Sequence, residues 1–261
     1  MRSVPHSRAP DLRIGCAGWS IPAAQAYRFP AEGTHLERYA QVFDAVEINS
    51  SFYRPHRPAT YRRWAAAVPA DFRFAVKMPR TISHLQRLGG DTVVLDAFLD
   101  AVGELGDRLG CLLLQLPPSL HLDVAKAHAF FAVLRRRHGG AVACEPRHPS
   151  WFGAEADTLL RRHGIARAAA DPARTSRAAV PAADRRVQYL RLHGAPRIYY
   201  DAYSATTLAR VARWLTTPAA RTQARWCIFD NTALGHATAD ALALKARLKP
   251  DGVQVPPRAV R

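Results

Sequence analysis

Four ionisable residues directly follow short apolar runs, and their side chains are of types that transfer protons or attack carbonyl carbons. They are Lys77, Glu145, Asp171 and His193. A desolvated Glu145 acts as a general acid or base, with Asp171 as its ionised counterpart, and His193 carries protons near neutral pH. Lys77 pairs with substrate charge, or forms a Schiff base where its pKa is lowered. We therefore take these four as the candidate catalytic residues.

A second group of polar and aromatic residues stands at the same ends of the apolar runs and suits substrate binding. Arg147 and Arg191 carry the forked guanidinium that holds a phosphate or carboxylate through two hydrogen bonds. The rings of Trp19 and Tyr53 stack on a sugar or base, with core packing as the alternative. Residues 231–236 lead into a helix whose first amides suit an anion. The remaining candidate binding residues are Glu47, Asn49, Gln115, His148, Asn231 and His236.

The alternation of short apolar runs with helical patterns indicates the elements that position these side chains. Eight runs begin near residues 12, 44, 72, 110, 141, 166, 187 and 225, and their length and punctuation are typical of strands. Helices are predicted over residues 34–43, 60–68, 93–108, 123–138, 156–163, 206–215 and 237–248. The first begins with a capping box of Thr34 and Glu37. Residues 172–186 show no helical pattern, so the sixth helix is expected to be reduced or missing.

Eight strands alternating with about seven helices predict the α/β class and parallel strand pairing. This number of repeats in about 250 residues fits a (β/α)8 TIM-type barrel. A doubly wound sheet is the alternative, but no GxGxxG follows the first run. We expect a single barrel domain over residues 11–249, preceded by a disordered N-terminal tail at 1–10 and followed by a C-terminal tail at 250–261.

Side-chain alternation along each strand predicts which of the polar residues point inward. In the run from Tyr189 to His193, the two leucines suit the helix layer, so Arg191 and His193 should face the barrel interior. The same alternation sends Glu47 with Asn49, and Glu145 with Arg147, to the interior. Asp230 and Asn231 have opposite parity, so one of them faces in. Barrel active sites lie at the carboxyl ends of the strands, where all these residues stand.

Inward charges require partners, because an isolated buried charge is very costly. Three acidic residues (Glu47, Glu145, Asp171) face three basic ones (Lys77, Arg147, Arg191). One interpretation is a self-satisfied ion network that closes the barrel mouth. The other is a functional site with perturbed pKa values, which we favour because buried ion pairs are a weak source of stability. On that hypothesis Glu145→Gln should leave the fold intact and abolish turnover.

The formal charge of +16 admits nucleic acid as a partner, since basic surfaces bind phosphates non-specifically. However, 33 of the 37 basic residues are Arg and Ala is abundant, a composition typical of GC-rich coding. No HxH, HExxH, CxxC, P-loop or GxSxG spacing occurs, so no metal or cofactor is expected. Four cysteines in apolar runs, no signal-peptide pattern and no apolar run of about 18 residues predict a cytoplasmic protein without a membrane partner. Oligomeric state is not specified by the sequence.

Seven runs resemble the motifs of one known family. They are IGCAGWS, LERYAQVFDAVEINSSFYRPH, FRFAVKMPRTISH, LGCLLLQLPPS, CEPRHPSW, YLRLHG and FDNTALGHA, within residues 13–244. In these runs the chain resembles the domain of unknown function 72 family, the YecE-like proteins. The resemblance implies a TIM-type barrel but no reaction, because the family has no established one. The family's recurrent motif positions fall on Gly18, Trp19, Glu47, Asn49, Tyr53, Lys77, His84, Gln115, Glu145, Arg147, His148, Trp151, Asp171, Arg191, His193, Gly194 and Asn231.

Three positions depart from the family pattern. Pro146 replaces an aromatic or apolar residue between Glu145 and Arg147, Asp230 replaces the first of two asparagines, and Ser83 replaces a threonine. The change at Asp230 adds a negative charge if that side chain faces in.

The leading hypothesis is a metal-independent acid–base enzyme that acts on an anionic (phosphorylated or carboxylated) or polyhydroxylated small molecule. A protein that binds nucleic acid or cleaves phosphodiesters is the second hypothesis, and a non-catalytic ligand sensor is the third.

Overall fold

The computed structural model describes residues 10–218 and 222–248, and strands and helices alternate over most of this length. The strands are β1 (Asp11–Cys16), β2 (Ala45–Ile48), β3 (Arg73–Lys77), β4 (Leu109–Gln115), β5 (Val142–Glu145), β6 (Ala166–Arg167), β7 (Ala169–Asp171), β8 (Ala182–Ala183), β9 (Val187–Leu192) and β10 (Ala224–Phe229). The helices are α1 (His35–Val42), α2 (Pro58–Ala66), α3 (Val93–Gly103), α4 (Val124–Arg137), α5 (Ala154–Arg162), α6 (Ala205–Thr216) and α7 (His236–Leu248). The predicted α/β class is confirmed. Apart from Pro10, the predicted tails lie outside the described residues.

The strands form two sheets, where a single closed barrel was expected. One has the order β1-β10-β9-β7 and is parallel throughout; the other has the order β2-β3-β4-β5-β6-β8 and is parallel except for β8. Strand pairing between the two sheets is interrupted at two places. Between β1 and β2 it is reduced to one bridge, Ala17 to Glu47. Between β6, in one sheet, and β7, in the other, lies a single residue, Ala168, whose amide donates to the Cys144 carbonyl at 2.8 Å.

A tyrosine hydroxyl explains the first interruption. Tyr39 of α1 accepts a hydrogen bond from the Cys16 amide (2.8 Å) and donates one to the Ala45 carbonyl (3.2 Å), so its hydroxyl replaces a direct link between β1 and β2. Gly15 permits this approach, because a Cβ there would lie 1.9 Å from the Ala45 carbonyl oxygen. The two strands are therefore neighbours that a side chain joins.

Buried side chains divide into two clusters on opposite faces of the strands. The larger one packs the strands against the helices and contains most of the buried aromatic residues. The smaller one faces the interior between the sheets; it consists of Ala45, Ala75, Cys111, Leu113, Ala143, Ala166, Ala168, Tyr189, Trp226 and Ile228. In β2, β3, β4, β5, β9 and β10, alternation carries the inner series on to a polar residue at or just after the carboxyl end of the strand, and these polar residues form the site described below.

The helices begin and end close to the predicted positions. The capping box of α1 is present: Thr34 accepts from the Glu37 amide while the Glu37 carboxylate accepts from the Thr34 amide. The predicted helix over 93–108 ends early at Gly103, and a short 3-10 turn follows it. Residues 172–186 hold only a four-residue 3-10 helix and β8, as expected for a missing sixth helix. Among the described residues, no helix is long and apolar enough to cross a membrane.

Candidate functional site

Hydrogen bonds link seven polar side chains at the carboxyl ends of strands from both sheets, and we call this set the strand-end cluster. Its members are Glu47, Gln115, Glu145, Arg147, Arg191, His193 and Asp230. Six of them were predicted as site residues, and Asp230 was one of the two alternatives after the last strand. Alternation predicts a common interior face for Glu47, Glu145, Arg191 and His193, and contacts of hydrogen-bond length link these four side chains in the structure.

Arg191 is the centre of the cluster and is fully buried. Its guanidinium donates to both oxygens of Glu47 (Nη2 to Oε1 2.6 Å, Nε to Oε2 3.0 Å), to Glu145 Oε2 (2.8 Å) and to Asp230 Oδ2 (3.0 Å). Tyr189 also donates to Glu47 Oε2 at 2.9 Å. Every nitrogen of Arg191 is thus engaged with a carboxylate, so this residue holds the cluster together and has little capacity left for a substrate.

Glu145 is buried and has four polar partners. It accepts hydrogen bonds from Arg191 (2.8 Å) and Gln115 (3.0 Å), it forms an ion pair with Arg147 (2.5 Å), and its Oε1 lies 3.0 Å from His193 Nε2. Burial alone would raise its pKa, but the charges of Arg191 and Arg147 hold the pKa well below its usual value. A carboxylate held this strongly in its ionised form is a weak base, which argues against the expected role of Glu145 in proton transfer.

His193 is better placed to carry a proton. Its Nδ1 lies 2.9 Å from Asp230 Oδ2, and its Nε2 lies 3.0 Å from Glu145 Oε1 and 2.8 Å from Arg147 Nη2. With Nδ1 protonated, the ring donates to Asp230 and its Nε2 lone pair accepts from Arg147. With both nitrogens protonated, Nε2 donates to Glu145 instead. Both protonation states therefore have partners in place.

Lys77 lies beside the cluster at the end of β3 and is 4% exposed. Its ammonium nitrogen sits 4.1 Å from the centre of the Phe52 ring, and within the described part of the chain it has no ion pair or hydrogen bond. Burial, with the charge of Arg191 as the next cause, lowers its pKa from 10.5 to about 8. Glu47, Glu145 and Asp230 act in the opposite direction, which places the amine within electrostatic reach of the cluster.

Three polar atoms near these strand ends are buried without a hydrogen-bond partner among the described residues. They are Arg147 Nε, Asn49 Oδ1 and Asn231 Oδ1. Asn49 also lines a cleft of about 460 Å³ above β1 and β2, together with Trp19 and Tyr53. Trp19 packs edge-on against Trp64 at 5.0 Å, while Tyr53 is 68% exposed. The predicted aromatic and amide binding residues thus share one opening.

Besides Lys77 and the three residues at the cleft, four predicted site residues lie outside the cluster. Asp171 pairs in register with Leu192, so it points to the helix side, opposite to Arg191. His148 caps the turn at residues 149–152, and its ring centre lies 3.7 Å from that of His121 with the two planes tilted by 39°. Asn231 donates to Asp201 O and to Asp240 Oδ2, where it supports the last loop. His236 is the first residue of α7 and is half-buried.

Two residues that the sequence did not single out contribute to the site. Phe52 supplies the ring beneath Lys77. Tyr199 packs edge-on against His193 at 5.9 Å with a backbone φ of +72°, a conformation that is strained for a non-glycine residue. Burial raises the pKa of the Tyr199 hydroxyl, and the charge of Asp230 adds to this. No local pattern marks Tyr199, because its contact depends on the path of the loop after β9.

Metal and thiol chemistry find little support in the described residues. No group of three or more His, Cys, Asp or Glu side chains there is arranged to hold a metal ion. The carboxylates of the cluster are already bound by arginines. All four cysteines are free and buried, and burial raises the pKa of Cys16 and of Cys111 to about 12, so none has the thiolate character of a nucleophile.

The family model for "Protein of unknown function DUF72" matches residues 13–260. The chain belongs to this family. The UPF0759 protein YecE of Escherichia coli is 32% identical over 166 residues, which cover 61% of this chain and 59% of YecE. The UPF0759 protein YunF of Bacillus subtilis is 24% identical over 199 residues, 70% of each chain. This DUF72 chain therefore aligns with less than two thirds of the length of YecE.

Solved structures of DUF72 family proteins share the fold. One from Enterococcus faecalis superposes with a TM-score of 0.76 at 18% identity, covering 95% of this chain and 98% of that one. Another from Thermotoga maritima has a TM-score of 0.75 at 23% identity, covering 91% and 99%. At these identities the likeness establishes the fold alone.

Proposed function

We propose that this DUF72 protein is a metal-independent acid–base enzyme that acts on a small anionic molecule, phosphorylated or carboxylated, at the strand-end cluster. One observation carries the proposal: among the described residues, Arg147 Nε is a buried cationic donor without a hydrogen-bond partner, and Lys77, only 4% exposed, forms no hydrogen bond or ion pair. A self-satisfied ion network would leave no such donors, because a buried unpaired polar group costs about 1–3 kcal/mol. Cationic side chains that lack a polar partner beside fully paired charges suit the binding of an anionic ligand.

The side chains divide into distinct roles under this proposal. Arg191 and Glu47 hold the cluster in place, and Glu145 and Asp230 fix the orientation of His193. His193 carries the proton, since partners for both of its protonation states lie within 3.0 Å. Lys77 and Arg147 bind the charge of the substrate, and the cleft lined by Trp19, Asn49 and Tyr53 accommodates its polar remainder.

The proposal includes the barrel expected from the sequence, with the two sheets as its arcs. Support comes from the bridge between Ala17 and Glu47 on one side and from the single residue, Ala168, between β6 and β7 on the other. The inner faces of both sheets contribute to one buried cluster. A cytoplasmic location belongs to the same proposal, and four free buried cysteines support it.

A thermal-unfolding screen tests anion binding. The panel contains inorganic phosphate, sugar phosphates and small carboxylates at low and moderate salt, because any ligand of the folded state raises the Tm. We expect at least one anion to stabilise the wild type and Arg174→Gln, which loses an exposed charge, but not Arg147→Gln. If no anion shifts the Tm, or if Arg147→Gln responds as the wild type does, the proposal fails.

Hydrogen exchange separates an enzyme from a ligand sensor. The stabilising anion is incubated with the protein in D2O, and NMR follows its carbon-bound hydrogens. Acid–base chemistry predicts turnover or exchange of a hydrogen next to an acidifying group, lost in His193→Gln. Binding without turnover or exchange would favour the sensor.

Nucleic acid is the second candidate, and exposed aromatic residues in loops after the strands favour it. Tyr53, Tyr199 and Tyr200 are all at least 43% exposed, and Arg197 stacks on Tyr200 at 4.7 Å. Aromatic and basic side chains together suit single strands. Oligonucleotide binding that weakens steeply with salt, and that Tyr53→Ala reduces, would support this candidate.

A further inference from the structure

The amine of Lys77 is held in a setting unlike that of the other described lysines. Lys126 is exposed on α4, and Lys245 forms an ion pair with Asp44. Lys77 is buried against the face of Phe52. Three carboxylates lie in the adjacent cluster, yet each is already bound by Arg191, and Lys77 forms an ion pair with none of them.

The surrounding backbone fixes this position. The Ser51 hydroxyl donates to the carbonyl of Lys77 at 2.6 Å and to that of Ile48 at 2.9 Å, which fastens the 3-10 turn Ser50–Phe52 to the end of β3. On the other side, the Met78 amide donates to the Leu113 carbonyl at 2.8 Å. The backbone of Lys77 and the turn that carries the ring beneath its side chain are therefore held by hydrogen bonds.

Burial and the positive charge of Arg191 supply the free amine that nucleophilic attack requires. With a pKa of about 8, roughly one Lys77 in ten is uncharged at pH 7. An ordinary lysine has fewer than about one in a thousand amines uncharged at that pH. Desolvation or a neighbouring cation activates lysine nucleophiles in general, because either one lowers the pKa of the amine.

We propose that Lys77 forms an imine with the carbonyl carbon of a small anionic aldehyde, ketone or 2-oxo acid, an inference that rests on the proposed function of this site. The neutral Nζ attacks the carbonyl carbon, the C–N bond forms, and the carbonyl electron pair moves to oxygen. That oxygen gains a proton and leaves as water after a second protonation, while Nζ loses one of its two protons. The sum is amine, carbonyl compound and one proton giving an iminium ion and water.

The neighbours of Lys77 suit both ends of such a substrate. The iminium carries its charge where the ammonium now lies, over the face of Phe52, so the cation–π contact persists. Arg147 binds the anionic group through its open donor. The iminium acidifies the hydrogens on the adjacent carbon, and His193 is the proton carrier of the same site. The substrate class thus joins a reactive carbonyl to a carboxylate or phosphate.

Reductive trapping tests the inference directly. Intact protein is incubated at pH 7 with pyruvate or dihydroxyacetone phosphate and sodium cyanoborohydride, and peptide mass spectrometry locates the secondary amine formed. The chain has four lysines, so the assignment is simple. We expect Lys77 to be labelled at least about tenfold faster than Lys126 or Lys245, because more of its amine is free. Lys77→Arg, which keeps the charge but cannot form an imine, should lose this labelling.

The outcomes separate this inference from the proposed function. Labelling of Lys77 that phosphate suppresses supports both. If an anion stabilises the protein in the Arg147-dependent manner described above but Lys77 is labelled no faster than Lys126, imine formation is overturned and the anion site stands. If neither anion binding nor preferential labelling occurs, both fail. Thermal unfolding of Lys77→Arg confirms that lost labelling does not reflect a lost fold.

Discussion

Arg191 and Glu47 form a fully buried ion pair through two hydrogen bonds, of 2.6 Å and 3.0 Å, that joins the two sheets. Arg191 lies in β9 of one sheet and Glu47 in β2 of the other. Such a pair recovers its desolvation cost only when all of its polar atoms are matched. Glu145, Asp230 and Tyr189 complete that matching, so the pair is a structural link on which the site depends.

Arg191→Met should destabilise the fold strongly. It leaves three buried carboxylates without their common cation, and the free energy of unfolding should fall by about 3–5 kcal/mol. Urea denaturation at pH 7 measures this, with Arg174→Gln as a control expected within about 0.5 kcal/mol of the wild type. An Arg191→Met protein as stable as the wild type would contradict the central role of this guanidinium.

Glu145→Gln should lower stability as well as function, unlike the expectation from sequence alone. The substitution removes the charge that faces Arg191 and Arg147 in a buried site, and we expect a loss of about 3 kcal/mol in the free energy of unfolding. Glu155→Gln, on the exposed side of α5, is the matched control. Equal denaturation midpoints for the two variants would show that the Glu145 charge contributes nothing.

The acid limb of the stability profile should depend on Glu145. Its pKa, like that of Asp230, lies below the ordinary value in the fold, so the folded protein binds fewer protons than the unfolded chain in mild acid. The ionised carboxylates therefore stabilise the fold. Their contribution is complete above the unfolded pKa of about 4, and it is lost as the pH falls through the folded pKa. Urea midpoints from pH 6 to 3 should converge for wild type and Glu145→Gln. Parallel profiles would refute the assignment.

Lys77→Met should stabilise the protein near neutral pH. The folded pKa of about 8 lies below the unfolded value, so the fold penalises the ammonium form below pH 8, and the penalty is relieved as the pH rises towards 10.5. We expect a gain of about 1–3 kcal/mol at pH 7 that shrinks by pH 10. Lys126→Met is the exposed control. A destabilised Lys77→Met at pH 7 would mean that the amine has a stabilising partner.

Gly15→Ala should disrupt the junction of β1 and β2. A Cβ at this position meets the Ala45 carbonyl at 1.9 Å and the Tyr39 hydroxyl at 3.0 Å, and overpacking of this kind costs about 3 kcal/mol. Gly139→Ala adds the same methyl group where nothing lies within 4 Å. Chemical denaturation compares the two, and equal stability would show that the strands can separate at no cost.

The alternation of side chains along each strand was sufficient to predict much of the candidate site from the sequence. The two-residue period of a strand fixes which side chains share a face, so the runs around Glu47, Glu145 and Arg191 already predicted a shared interior. It failed at Asp171, because Ala168, Ala169 and Ala170 are equally apolar on both faces and give no signal of direction. Register with β9 decides that case, and it turns Asp171 towards the helices.

The sequence by itself determined the α/β class, the order of strands and helices, the family and the set of polar residues at the strand ends. These follow from short-range patterns of hydrophobicity and capping. Only the tertiary structure decided that Asp230 rather than Asn231 joins the cluster, that the Tyr39 hydroxyl bridges β1 and β2, and that Lys77 forms no ion pair with the described residues. The physical reason is that the partner of a charge, and therefore the direction of its pKa shift, depends on residues far apart in the chain that meet only when the strands assemble.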